Sequence, residues 1–372
     1  MNSIIFLTLL VCHLSGMPSG QIAFVSGSEQ EDRCVSAIDL KTGEIKRLGR
    51  AQRDSNPVWS PDGTKLAFES VQDGLRIFVV NHDGTDMKLV SPAASWSRWP
   101  AWSPDGKRLA FVSSDGSPEN QIIQVYSMET NSAEPWGKSL NPEVSMPPLV
   151  RPKWLGKSLL VALLQARIEE MGQDAAPGWA NAEADPQNTL LAIGFLGKPG
   201  RLTTGIFVVM PDAALLLPDD VMPSRGNYVE WAVSPSPNGK WVAFESNDGG
   251  DREIFVLSSK GAYNVSNHRA ADWNPVWSPK GDRIAFESFR EGTRGIYLVD
   301  PETSLVRRIV AERDADCWAP TWSPDGRWIA FVSTLSGNPE LWVVNTVNLE
   351  KCQVTKLGGE ALSPAWRPEM AK

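Results

Sequence analysis

The sequence predicts an all-β protein, a β-propeller built from four-stranded antiparallel blades. Two observations carry that prediction. The chain of 372 residues is 42% hydrophobic and holds 30 Gly and 28 Pro, so it has many turns and many short elements. It also repeats itself with a period near 43 residues, which settles the architecture before any local reading does. The strings NPVWSPDGTKLAFES from Asn56, WPAWSPDGKRLAFVS from Trp99, NPVWSPKGDRIAFES from Asn274 and APTWSPDGRWIAFVS from Ala319 are copies of one unit. Weaker copies are SPSPNGKWVAFES from Ser234, with Pro235 in the tryptophan's place, and RPKWLGKSLLVAL from Arg151. The tryptophan-equivalent positions 59, 102, 154, 235, 277, 322 and 366 are separated by 43, 52, 81, 42, 45 and 44 residues.

Each unit reads in the same order. A short apolar stretch ends at the tryptophan, and Ser-Pro-Asp-Gly then makes a tight turn. Pro61 fixes an early turn dihedral there and Gly63 accepts positive φ. A buried strand such as Leu66–Glu69 follows, then a polar loop at Gln72–Asp73–Gly74 and a third strand at Ile77–Val80. A second turn, His82–Asp83–Gly84, leads to a fourth strand around Lys88–Val90. Four strands per repeat is the pattern of a propeller blade. The periodic Trp59, Trp102, Trp277 and Trp322 are expected in the core.

The repeat resembles that of the TolB-like, WD-repeat-like propellers of exported bacterial proteins. The likeness rests on Trp59 to Gly63, Trp102 to Gly106, Trp277 to Gly281 and Trp322 to Gly326, with third-strand motifs at Glu253–Val256 and Glu340–Val343. It spans residues 21–368 and implies a propeller without implying an activity. TolB itself carries an α/β domain ahead of its propeller, and no such domain is read here.

Seven blades are expected, with six or eight as the alternatives. The first would be closed by both ends of the chain, Ile22–Val25 serving as its second strand and Pro364–Trp366 as its first. Such pairing removes the bare edges that every sheet must manage. The 81-residue step marks an excess in blade four. Reading Ser158–Leu164 as a second strand places an insertion at about 165–204, between strands two and three, over the channel mouth. Its Trp179 and acidic residues could then contact a ligand.

Residues 1–20 contain no charged side chain, and the apolar run Ile4–Cys12 has the length of a signal-peptide core. A periplasmic or secreted, monomeric protein of residues 21–372 is expected, with cleavage after Gly16 or Gly20. No other apolar run is long enough to cross a membrane as a helix. Removal of the leader would leave Cys34, Cys317 and Cys352, among which Cys34 with Cys352 is the disulfide to test and free buried thiols are the alternative.

The net charge of −8 disfavours a nucleic-acid partner, and 3 His leave little material for a histidine metal site or histidine catalysis. No cofactor is expected. The loop Asn247–Asp251 suggests calcium without the full ligand spacing. Two expectations concern relatives of this fold. A pectin-fragment lyase would need several histidines around a metal, and a prolyl-peptidase propeller would need a hydrolase domain after it.

In a propeller the first strands line the channel, so residues four and five before each repeat tryptophan should sit at its mouth. Those positions hold Trp231, Trp273, Trp318 and Arg98, and Asp54, Glu230 and Asp272. Aromatic faces beside charged groups suit a peptide, a sugar ring or a cation. The bland alternative is that these tryptophans wedge adjacent blades apart. Glu69, Glu245 and Glu287 recur after the Ala-Phe of the second strand, which makes them repeat features first. The reading is therefore an exported, non-catalytic propeller binding a protein, peptide or glycan at its channel face. The alternative is a hydrolase or lyase working with carboxylates at the same mouth.

Overall fold

The computed structural model describes residues 18–27, 33–92, 96–116, 121–137, 149–155, 189–195, 204–210, 213–216, 230–248, 250–258 and 261–369. Among them, 28 strands make seven groups of four, the second and third joined into one eight-stranded sheet by a single parallel pair, Leu75 with Trp96. The first group contains β1 (Gln21–Gly27), β2 (Cys34–Asp39) and β3 (Ile45–Arg47). The second is β4 (Ser55–Trp59), β5 (Lys65–Val71), β6 (Leu75–Asn81) and β7 (Lys88–Leu89). The third is β8 (Trp96–Trp102), β9 (Arg108–Ser114), β10 (Gln121–Ser127) and β11 (Ser132–Trp136). The fourth is β12 (Leu149–Trp154), β13 (Leu190–Phe195), β14 (Thr204–Met210) and β15 (Ala213–Leu216). The fifth is β16 (Glu230–Pro235), β17 (Val242–Ser246), β18 (Glu253–Ser258) and β19 (Gly261–Asn264). The sixth is β20 (Asp272–Trp277), β21 (Ile284–Ser288), β22 (Gly295–Val299) and β23 (Val306–Val310). The seventh is β24 (Cys317–Trp322), β25 (Trp328–Ser336), β26 (Asn338–Asn345) and β27 (Lys351–Gln353), and β28 (Glu360–Trp366) completes the first group.

Neighbouring strands within each group run antiparallel. Each leading strand packs against the first three strands of the group before it, and β28 packs against the seventh group while β4 packs against the first. The end strands meet as expected: Ile22 is in register with Trp366 and Ala23 with Ala365.

The repeat tryptophans do what their periodicity implied. Trp59, Trp102, Trp154, Trp277, Trp322 and Trp366 are buried, at 6–8% exposure. Five of them also donate the indole N–H to the preceding blade's leading strand. The acceptors are the carbonyls of Ala365, Val58, Ala101, Ser234 and Val276, at 2.6–3.0 Å. One residue type thus fills the core between blades and also satisfies a carbonyl there.

A second regularity sits three residues before each tryptophan. Asn56, Trp99, Arg151, Asn274, Ala319 and Ser363 all have φ between 48 and 57°, and the pairing register shifts at each site. Non-glycine residues seldom hold this conformation without support. In three blades the support is a glutamate of the preceding blade. Glu69 accepts the Trp99 N–H at 2.8 Å, Glu245 the Asn274 N–H at 2.5 Å, and Glu287 the Ala319 N–H at 2.8 Å. The recurring glutamates are therefore staples between blades, spread around the ring.

Two expectations are corrected. The second strand of blade four is Leu190–Phe195, in register with Leu149–Trp154, and not Ser158–Leu164. The excess of sequence therefore falls between β12 and β13, and not between the second and third strands. Both segments are short apolar runs, which periodicity cannot tell apart. Residues 156–188, with Trp179, lie outside the described residues. Cys34 is a free, buried thiol, as is Cys317, so no Cys34–Cys352 bridge forms. Burial, with the nearby Asp54 charge, pushes the Cys34 thiol pKa up, and burial pushes that of Cys317 up to about 11. Both thiols are held in the protonated, unreactive form. Among the described residues no helix is long and apolar enough to cross a membrane.

Candidate functional site at the mouth of the ring

The mouth is the end at which the leading strands begin. The bulge in each leading strand fixes which residue turns toward it, and strand pairing puts Trp273 opposite Glu287 and Trp318 opposite Val332. Both tryptophans are half-buried. Between them lies Arg294, its guanidinium carbon 5.4 Å from the Trp273 ring centre and 5.6 Å from that of Trp318. The guanidinium is held from behind by Glu287, which is fully buried and accepts from Nε at 2.5 Å and also from Nη2. Glu287 completes its shell with the Asn274 side-chain amide at 2.7 Å. Blades six and seven are thus joined at the mouth by a cation between two indoles.

Beside this stack the surface combines exposed apolar side chains with one carboxylate, Asp316, which is exposed and accepts the Arg294 backbone N–H at 3.0 Å. Phe289, 45% exposed, lies with its ring 5.2 Å from that of Trp273, and Leu335 is 41% exposed near the end of β25 in blade seven. Across the ring the character changes. Arg98 is exposed and sits 6.0 Å from the Trp99 ring, which Trp96 meets edge-on at 6.1 Å. An open cavity of about 490 Å³ is lined by Arg50, Arg53, Gln52, Gln72 and neighbouring residues of blades one and two.

The acids expected at the mouth behave differently, and this is a correction. Asp54 and Asp272 are completely buried and present no surface to a ligand. Asp54 accepts three backbone N–H groups, from Val35, Arg50 and Ala51 at 2.8–3.2 Å, and so shapes the crossover into β4. A Cβ on Gly49 would lie 2.0 Å from that carboxylate, which is why the crossover has glycine there. Asp272 is paired with Arg290 at 2.5 Å. Position five before the tryptophan faces inward, under the crossover, because the bulge lies on its other side. Glu230 and Trp231 occupy the matching positions of β16, and their side chains lie outside the described residues. His82 and His268 fall in separate blades. Among the described residues no three His, Cys, Asp or Glu side chains come together as a metal would need.

Arg294 and Phe289 were missed in the sequence. A signal for the first exists: Arg252 and Arg294 each follow a staple glutamate by seven residues, and each pairs with it.

A family model described as the TolB beta propeller domain matches residues 14–174 and 274–372. No curated protein matches the chain in sequence. Among solved structures, the β-propeller domain of the Trilobed protease from Pyrococcus furiosus, described with an open velcro topology, superposes with a TM-score of 0.63 at 13% identity. It covers 91% of this chain and 96% of that one. TolB from Acinetobacter baumannii gives 0.56 at 16% identity, covering 95% of this chain and 69% of that one. An oligogalacturonate lyase in complex with manganese gives 0.59 at 15% identity, covering 91% and 86%. At such identities the likeness is one of fold, and it spans a protease domain, a lyase and TolB alike.

Proposed function

The chain belongs to the TolB β-propeller domain family, and from that premise we propose that it is an exported, non-catalytic binding protein that takes a segment of a partner polypeptide at its mouth. The observation that carries this reading is the half-exposed surface of Trp273, Phe289 and Trp318 around Arg294. Exposed aromatic groups held by packing and an ion pair can bind without an ordering cost, which is how anchor residues act in interfaces. The carboxylate-hydrolase alternative gains no support from Asp54 and Asp272, which are buried beneath the crossovers.

The test is a peptide and glycan array probed with residues 21–372, with and without calcium, followed by titration of the best hit. Trp273→Ala is expected to weaken that hit at least tenfold, by losing an anchor worth about 1.4 kcal/mol or more. Undiminished binding by W273A and W318A would move the site elsewhere, and a glycan hit would change the partner class.

Export is proposed on the uncharged, apolar leader at residues 1–20. Produced in a bacterium, the protein should be recovered from the periplasm with a mass starting near Met17 or Gln21. Intact Met1 found solely in the cytoplasm would refute this.

A further inference from the structure

Beneath the Trp273–Phe289 surface lies a buried polar cluster that the binding reading does not use. Glu253, at 5% exposure, accepts from Ser266 Oγ at 2.5 Å and from the His268 backbone N–H at 2.9 Å. Asp272, fully buried, pairs through Oδ2 with Arg290, whose same Nη2 also donates to the Ser266 carbonyl at 2.7 Å. Three buried atoms have no hydrogen-bond partner among the described residues: Asp272 Oδ1, Arg290 Nε and Tyr297 Oη. The cluster therefore has two carboxyl groups for one guanidinium, and an acceptor oxygen with nothing to accept. Ionising both would bury an uncompensated negative charge, which a low-dielectric interior strongly disfavours.

Other blades show that the second carboxyl group is what differs. In blade seven Glu340 makes the same two contacts, with Thr355 Oγ1 at 2.5 Å and the Leu357 N–H at 2.6 Å, but the next leading strand carries Ala361 where Asp272 would stand. In blade one Cys34 replaces the glutamate and Asp54 serves alone. The remaining groups around the cluster are accounted for. Arg252 is turned to Glu245, Glu291 pairs with Arg308 beyond Tyr297, and the His268 ring accepts the Ala270 N–H through Nδ1. Arg269 lies on the same crossover.

We propose that Glu253 holds a proton against the Asp272 carboxylate and that the two act as a pH-sensitive latch under the aromatic surface of the mouth. Asp272 immediately precedes Trp273, and Arg290 immediately follows Phe289, so the pair anchors both aromatic residues. With the proton held, Glu253 supplies the hydrogen that Asp272 Oδ1 lacks, and the crossover 265–271 stays pinned. When it leaves, two like charges face each other and the crossover loosens. Burial, together with the Asp272 charge, pushes the Glu253 carboxyl pKa up to about 7, against the hydrogen bonds from Ser266 and His268. A folded-state value raised above the unfolded one contributes stability fully below the unfolded value, roughly pH 4.3, and that contribution is lost as pH rises through about 7. The effect on ligand binding rests on the reading above, but the latch does not.

The test is a series of thermal melts of residues 21–372 without ligand, from pH 5.5 to 8.5. The wild type is expected to lose melting temperature as pH rises through neutrality. Glu253→Gln keeps the shape and removes the charge, so its profile should be flat across that step. Glu340→Gln, the same change where no second carboxyl group stands, should retain the wild-type slope. A wild-type slope that survives in E253Q overturns the proposal, as does a Glu253 side-chain carbon that titrates by NMR in the ordinary carboxylate range. Failure of the array alone would count against the binding reading and leave the latch intact.

Discussion

A protein lacking residues 361–372 is expected to aggregate instead of merely loosening. The deleted segment holds nearly all of β28, the strand that joins the two ends of the chain in one sheet. Its loss strips the core between blades seven and one of Trp366 and Ala361, both buried there among Phe24, Trp328 and Leu341. Losing one buried tryptophan side chain costs about 3–5 kcal/mol. The closing contacts go with it. Trp59 loses its acceptor at Ala365, and Arg367, which donates to the Gly63 carbonyl at 2.7 Å and to Gln21 Oε1 at 2.7 Å while lying over the Trp59 ring, is gone. A domain is stable by only about 5–15 kcal/mol, so the sum takes a large part of that margin. The exposed side of β1 then offers unpaired backbone to other molecules. Size-exclusion chromatography with light scattering checks this, and a soluble monomer with an unchanged melting temperature would show that β28 is dispensable.

How much of this was legible beforehand follows from what repeats. The tryptophan period and the Ser-Pro-Asp-Gly turns recur, so the blade layout and its closing strand could be read from spacing alone. The mouth could be read only in part, because function there depends on side-chain direction. A bulge three residues before the tryptophan reverses facing at one position, and that sent Asp54 and Asp272 inward while Trp273 and Trp318 stayed at the surface. Nothing in an alternating pattern announces a bulge at asparagine, tryptophan or alanine alike. The placement of the blade-four excess failed for another reason. SLLVALL and LLAIGF are equally good strands by composition, and pairing with Leu149–Trp154 decides between them. Arg294 was invisible as a single residue and becomes visible only when its seven-residue spacing from Glu287 is set beside the Arg252–Glu245 pair.

Glu287→Ala is expected to give the largest loss from a single substitution at the mouth, about 3 kcal/mol, seen as a lower urea midpoint. Glu287 is fully buried and accepts from three residues of three elements: the Asn274 amide in β20, the Ala319 N–H in β24, and Arg294 just ahead of β22. Removing it strands each donor differently. The Ala319 N–H belongs to a left-handed residue at φ 53°, whose conformation then costs energy with no bond in return. The Arg294 guanidinium is left unpaired between two indoles, and breaking one side of a buried pair costs about 3–5 kcal/mol. Arg294 keeps 30% of its side-chain exposure, so solvent screens part of that and the lower end applies. Arg294→Ala alone should cost less, because Glu287 keeps its Asn274 and Ala319 donors. The double variant should then cost clearly less than the sum of the two, since the orphaned guanidinium is absent. Strict additivity in that cycle would mean that Glu287 and Arg294 act independently. Both single variants should also weaken peptide capture in the array, because the ion pair holds Trp273 and Trp318 apart at the spacing a ligand would meet.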